Sequence, residues 1–206
     1  MTTETPKNGL HTEYYDNGQK NSESTYKDDE LNGKSTSWYE NGQIKSEGNY
    51  KDGKQDGKHT EWYENGQIKV EENYKDGKED GTVTWWHEDG QKWREENYKD
   101  GKQDGKWTYW YESGEIESEK NYIDGQLNGK TTFWNKNGQK FSEGNYKDYK
   151  PDGKWTYWNN KGQKDEERNY KDGDLVNKTI FKYSFFTGHL KSEKKYKDGE
   201  CISGDC

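Results

Sequence analysis

Apolar residues are scarce in this chain. Only 24% of its 206 residues are hydrophobic against 36% charged, and the mean hydropathy is -1.77. Little apolar surface is then available to offset chain entropy, which excludes an ordinary globule and, taken alone, would describe disorder. No apolar run approaches the length needed to cross a bilayer as a helix. The opening Met1-Thr2-Thr3-Glu4-Thr5-Pro6 also lacks the basic and apolar stretches of an export signal, so the expected location is cytoplasmic. Cysteine is nearly absent. Cys201 and Cys206 stand together in the tail, too few for a disulfide scaffold, and read as free thiols in a frayed end, with a disulfide across the short loop as the alternative. Basic charge is not in excess either. With a net charge of -8, the chain lacks the basic stripe that a nucleic-acid binder needs to displace counterions, and an anionic membrane surface is disfavoured for the same reason.

What the chain has in quantity is aromatic residues in register. They make up 16% of the sequence. Tyr26, Tyr50, Tyr74, Tyr98, Tyr122, Tyr146 and Tyr170 recur every 24 residues, and a glycine keeps the same beat from Gly18 through Gly162. Disordered tails have no reason to hold aromatics in phase. A period of this size means one supersecondary unit stacked many times. A typical unit carries an Asn41-Gly42 type turn and, eleven residues on, an Asp52-Gly53 type turn, which recurs at Asp76-Gly77, Asp100-Gly101, Asp124-Gly125, Asp172-Gly173 and Asp198-Gly199. Both read as two-residue type I′ turns, and the spacing between them leaves room for strands and none for helices. The fold class expected is therefore all-β: an elongated single-layer antiparallel meander of about eight two-stranded hairpin repeats of 24 residues. The array runs over residues 9–202, with tails at 1–8 and 203–206 and an atypical cap as its last unit.

Side chains alternate across a strand, so the period assigns faces. Trp38, Thr36, Lys45 and Glu47 are expected on one face, and Tyr39, Ser37, Ile44, Ser46 and Tyr50 on the other. Because 24 is even, the first face repeats three columns. Tyr14, Trp38, Trp62, Trp86, Trp110, Trp134 and Trp158 form one, and threonines from Thr12 to Thr156 form the next. The third is acidic and includes Glu47, Glu71, Glu95 and Glu119. Strand lengths of nine and eleven residues do not match, and the surplus is assigned to a bulge at Asp56-Gly57, with a wider loop at 54–57 as the alternative. The loop glycine is also expected to clear space for a neighbouring ring.

The run WYENGQIKSEGNYKDGKQDGKHTEWYENGQIK resembles the bacterial variant of the MORN repeat, which reads N-G-x-hydrophobic-K-x-E-x-x-Y-x-x-G-x-x-x-G-x-W. The resemblance extends over about residues 9–200, with departures at Asn177, at Asp148-Tyr149 and at the insertion FKYSFF. It implies β-hairpins stacked into one antiparallel sheet, in proteins that act as scaffolds, membrane tethers or partner-binding modules. Many such proteins resemble YwqK-type antitoxins.

Catalytic chemistry is not expected. His11, His59, His87 and His189 show no metal spacing and read as solvated strand residues. The acidic column, its members each opposite Thr or beside Lys as structural partners would be, offers like environments where acid–base catalysis needs unlike ones. The Asp52, Asp56, Gly57 loops are interrupted by Lys51, Lys54 and Lys58, which oppose a divalent ion, and no cofactor motif occurs. The candidate binding surface is the column Trp38, Trp62, Trp86, Trp110, Trp134 and Trp158 with Glu47, Glu71, Glu95 and Glu119, although ring packing within the sheet explains the same column. The function expected is a non-enzymatic scaffold binding a protein along this face. The alternatives are an antitoxin that neutralises a basic toxin, and carbohydrate or cell-wall binding through the aromatic column.

Overall fold

In a computed structural model, residues 7–204 are described, and they contain twenty strands and no helix, hence no helix able to cross a membrane. The chain divides after Gln103 into two compact units. The first holds β1 (Gly9–Tyr14), β2 (Lys20–Lys27), β3 (Glu30–Trp38), β4 (Ile44–Lys51), β5 (Lys54–Trp62), β6 (Ile68–Lys75), β7 (Lys78–Glu79), β8 (Gly81–Trp86), β9 (Lys92–Lys99) and β10 (Lys102–Gln103). The second holds β11 (Gly105–Trp110), β12 (Ile116–Ile123), β13 (Gln126–Leu127), β14 (Gly129–Trp134), β15 (Lys140–Lys147), β16 (Lys150–Trp158), β17 (Lys164–Lys171), β18 (Asp174–Tyr183), β19 (Leu190–Lys197) and β20 (Glu200–Ser203). Within each unit the strands pair antiparallel in chain order, as a meander.

The two turns of each repeat differ in kind. Asp52 and Gly53 both have positive φ, 48° and 73°, the type I′ geometry expected. The turn at Asn41-Gly42 is not of that type, because only Gly42 is left-handed, at 84°. Tyr39 N–H donates to Gln43 O at 2.8 Å and Gly42 N–H to Tyr39 O at 2.9 Å, so the loop has three residues, with glycine closing it. Asn41 bonds through its side chain instead. Its Oδ1 accepts from Gln43 N–H at 2.9 Å, and its Nδ2 donates to Glu64 O of the next repeat at 3.1 Å. The asparagine expected to adopt positive φ acts here as a hydrogen-bonding bracket between repeats.

Bulges then reset the faces. Ser37 pairs with Ser46 but Trp38 with Ile44, which leaves Lys45 as an extra residue. Ile44 therefore joins Trp38 and Thr36 in lining one hollow. Lys45 turns to the opposite side, with its Nζ 5.7 Å from the Tyr39 ring centre. The expected placing of these two residues is thus reversed, because one inserted residue shifts the alternation by one. The Asp56-Gly57 bulge is present as expected. Residues 54–57 are strand rather than loop, Gly57 has φ 96°, and the register shifts between Gly48 and Tyr50. Gly57 faces open space, however. The glycines that admit neighbouring rings are Gly48, where a Cβ would lie 2.7 Å from His59, and Gly144, where it would lie 2.2 Å from Trp155.

On a single sheet a side chain is buried only by its cross-strand and diagonal neighbours. The core lies mainly on the face opposite the Trp column: Val70 and Val83 in the first unit, both 1% exposed, and Trp107 and Trp155 in the second, both 4% exposed. Trp107 packs on Tyr122 with ring centres 4.7 Å apart, and Trp155 meets Tyr146 edge-on at 5.1 Å. His59 belongs to this layer rather than to solvent. Its Nδ1 lies 3.1 Å from Glu72 Oε2, and its ring meets Tyr74 at 6.2 Å. Cys201 is disulfide-bonded, contrary to the free thiol expected, and Cys206 lies outside the described residues.

Candidate functional site

The expected binding column is present in each unit, with its rings half-buried: Trp38, Trp62 and Trp86 in the first, Trp110, Trp134 and Trp158 in the second. Tyr14, at the edge strand, is 61% exposed. The tryptophan backbone is stapled from the preceding repeat. Tyr15, Tyr39 and Tyr63 hydroxyls donate to the carbonyls of Trp38, Trp62 and Trp86 at 2.7, 2.7 and 2.8 Å, and Tyr111 donates to Trp134 O at 2.7 Å. Burial raises the pKa of Tyr39 and Tyr111, which keeps these donors protonated.

Beside the indoles runs a ladder of threonine and glutamate. Thr36 pairs with Glu47 on one side and Glu23 on the other, and Glu47 in turn faces Thr60. The threonines are the buried members, with Thr36, Thr60 and Thr108 at 7%, 6% and 5% exposure. The carboxylates are held by lysines. In the first unit the pairs are Lys34–Glu47 at 2.8 Å, Lys58–Glu71 at 2.6 Å and Lys92–Glu95 at 2.6 Å. In the second, Lys106 holds Glu119, and Glu143 receives both Lys140 at 2.5 Å and Lys130 at 3.1 Å. Partial burial pushes Glu143 up, but the two lysine hydrogen bonds outweigh it and keep the carboxyl below its usual range. Glu167 behaves alike between Lys154 and Lys164.

The expected site residues are therefore brought together within each unit, as a charge-compensated ladder. All four expected glutamates carry a lysine. Pairs this exposed contribute little stability individually. They do hold the flanks of the indole column in a defined order. At Trp38 the arrangement leaves a hollow of about 280 Å³ lined by Leu10, Glu23, Lys34, Trp38, Ile44 and Glu47. Among the described residues no group of three or more His, Cys, Asp or Glu side chains could hold a metal ion.

One cluster escapes a reading of the sequence. In the first unit Arg94 lies over both Trp85 and Trp93, at 4.6 and 4.7 Å from the ring centres, and Trp93 is 41% exposed. The signal is there, since Trp85, Trp93 and Arg94 stand where the second repeat has Ser37, Lys45 and Ser46. Arg94 also pairs with Glu96, 2% exposed, at 3.2 Å.

Near this cluster Glu79 is raised above the usual carboxylate range by burial first, then by Glu72 and Glu96. A raised folded-state pKa means the folded protein binds the extra proton, so Glu79 costs stability above its unfolded pKa and the cost fades as pH falls. Gln55 and Gln103 occupy the same repeat position. Glu79→Gln should therefore stabilise the first unit at pH 7 by roughly 0.2–1 kcal/mol, and the gain should vanish in urea melts run below pH 4.

The MORN repeat variant model matches the chain seven times, at residues 7–28, 31–52, 55–76, 79–100, 103–124, 127–148 and 151–172. No curated protein matches. Among solved structures, a chain of the crystal structure of TcdB2-TccC3 aligns with 99% of this chain at 10% identity and a TM-score of 0.27. The present chain spans 13% of that one. With seven matched segments covering well over half of its residues, each carrying the Tyr and Glu positions described above and a Trp, or Tyr14 in the first, at the column position, the chain belongs to the MORN repeat variant family.

Proposed function

We propose that this protein is a non-enzymatic repeat scaffold that binds a partner protein along the tryptophan face. The observation that carries this reading is the half-buried indole column flanked by compensated Lys–Glu pairs. Such a face combines aromatic anchors with a polar rim, the composition of a protein-binding patch. Compensation also means that a partner need not match a strong local charge. The overall charge of -8 nevertheless steers encounter toward a basic partner, which keeps the antitoxin reading as the sharper form of the same proposal. The hollow at Trp38, with carboxylate and ammonium groups beside an indole, suits a sugar ring as the alternative ligand.

The test is affinity capture from native-host cells with the wild-type chain and with the Trp110→Ala/Trp134→Ala variant. Because both rings are half-buried, the variant is expected to keep its strand circular dichroism. A partner retained by the wild type and lost by the folded variant supports the reading. Identical partners for both would remove this face from consideration, and glycan-array binding lost in the variant would replace protein by carbohydrate.

A further inference from the structure

The turn between β18 and β19 breaks the rule kept by every other turn of its kind. Where other repeats place polar residues such as Glu40 and Asn41, this one places Phe185 and Phe186. They are 84% and 94% exposed. The two rings meet each other edge to face with centres 5.6 Å apart, and Lys161 Nζ lies 5.6 Å from the Phe185 ring centre. The turn itself is held by hydrogen bonds: Ser184 N–H donates to His189 O at 2.8 Å, Gly188 N–H to Ser184 O at 2.9 Å, and Thr187 N–H to Ser184 Oγ at 3.3 Å. The rings are thus presented by a closed backbone, at the two most exposed apolar positions of the described chain. Nothing in the packing of the repeat requires them there.

Charge around the turn is opposite in sign to that of the whole chain. From residue 174 to residue 197 there are six lysines against Asp174 and Glu193, in a protein of net charge -8. Lys182 and Lys191 bracket the turn at exposed positions, and among the described residues neither is held in an ion pair. Beside Phe185 is a hollow of about 560 Å³ lined by Phe181, Lys182 and Tyr183, with Lys161 and Asp165 also on its wall. A projecting aromatic pair with an adjacent recess and a basic collar has a specific complement.

We propose that the Phe185–Phe186 turn is an anchor that inserts into an apolar pocket rimmed by carboxylates on a partner protein. Aromatic side chains at a fixed turn lose little freedom on insertion, which is the property of a binding hot spot. A protein pocket of about ring size senses only the charges within a Debye length of roughly 8 Å, and in the hollow beside Phe185 Lys161 and Lys182 outnumber Asp165. An anionic bilayer would meet the acidic body as well, which weighs against a lipid surface. None of the column tryptophans lines this hollow, so either reading can fail without the other.

The experiment replaces Phe186 by photoreactive benzoylphenylalanine in the full chain, expressed in native-host cells, with the same residue at Asn137 of another turn as control. At 94% exposure the replacement leaves folding intact. Mapping the covalent adduct by mass spectrometry should place it on one protein, at an apolar residue flanked by Asp or Glu, at several times the yield of the control. Lys182→Glu/Lys191→Glu should cut that yield by about tenfold, whereas Trp110→Ala/Trp134→Ala should not. An adduct on lipid, on a second copy of this chain, or no adduct above the control overturns the proposal. So does a yield indifferent to the charge reversal.

Discussion

Trp107→Ala should lower the unfolding free energy by about 3–5 kcal/mol, the range for emptying a buried tryptophan site, as read from urea melts followed by far-UV circular dichroism. Trp107 is 4% exposed and packs on Tyr122 at 4.7 Å. Its side chain points to the face opposite Trp110, three residues later in the same strand. Trp110→Ala, on the half-buried column, should cost well under half as much, because water already covers part of that ring. The contrast locates the core of the second unit. If the two losses were equal, or if Trp110→Ala cost more, the tryptophan column would be the structural spine. The case for reading it as a binding surface would then be gone. The same pair of melts shows whether the variant used in the capture experiment is folded.

Gly144→Ala is the second large effect, and it is unusual in adding only a methyl group. The position is ordinary extended strand, so backbone strain is not the issue. The new Cβ would lie 2.2 to 2.4 Å from three ring carbons of Trp155. That ring is 4% exposed, bound through Nε1–H to Asn145 O at 2.9 Å, and hemmed by Tyr146, so it cannot simply swing away. Overpacking of this kind costs about 1–3 kcal/mol, and because the nearest atoms all belong to this held ring, Gly144 belongs at the upper end. Gly48→Ala, where the Cβ would meet only the edge of His59 at 2.7 Å, should cost less. A double-mutant cycle makes the argument specific. Trp155→Thr destabilises alone, but combined with Gly144→Ala the total should fall short of the sum by more than about 1 kcal/mol, since the clash no longer exists. Additive losses would mean that the glycine serves some purpose other than admitting the ring.

These two positions also mark how far residues alone specify the molecule. The repeat, the strands, the Asp52-Gly53 turn geometry and the Asp56-Gly57 bulge are all legible in the sequence, because each depends on residues close together in the chain. The grouping of Trp38, Thr36 and Glu47 is legible for the same reason: alternation within a strand is local. Whatever crosses a bulge is not. Ile44 and Lys45 exchange faces because one inserted residue near the three-residue loop shifts the phase, and that insertion follows from which N–H meets which C=O across the gap. The glycines that make room are Gly48 and Gly144 rather than Gly57 on similar grounds, since the ring each one admits comes from the neighbouring strand. The acidic column reads in sequence as glutamates opposite threonine or beside lysine, without saying which lysine each one meets. Its neutralisation by Lys34, Lys58 and Lys106 depends on the same register.

The amino-acid order alone therefore determined that this is a β-repeat protein, where its turns fall, and which aromatic residues share a column. A fixed period and locally encoded turns require no knowledge of distant partners. Only the tertiary structure decided that the packed layer lies mainly opposite the tryptophans, that the glutamates are spoken for, and that Phe185 and Phe186 face water. Those outcomes turn on cross-strand pairing and burial, which are properties of the assembled sheet and of no segment within it.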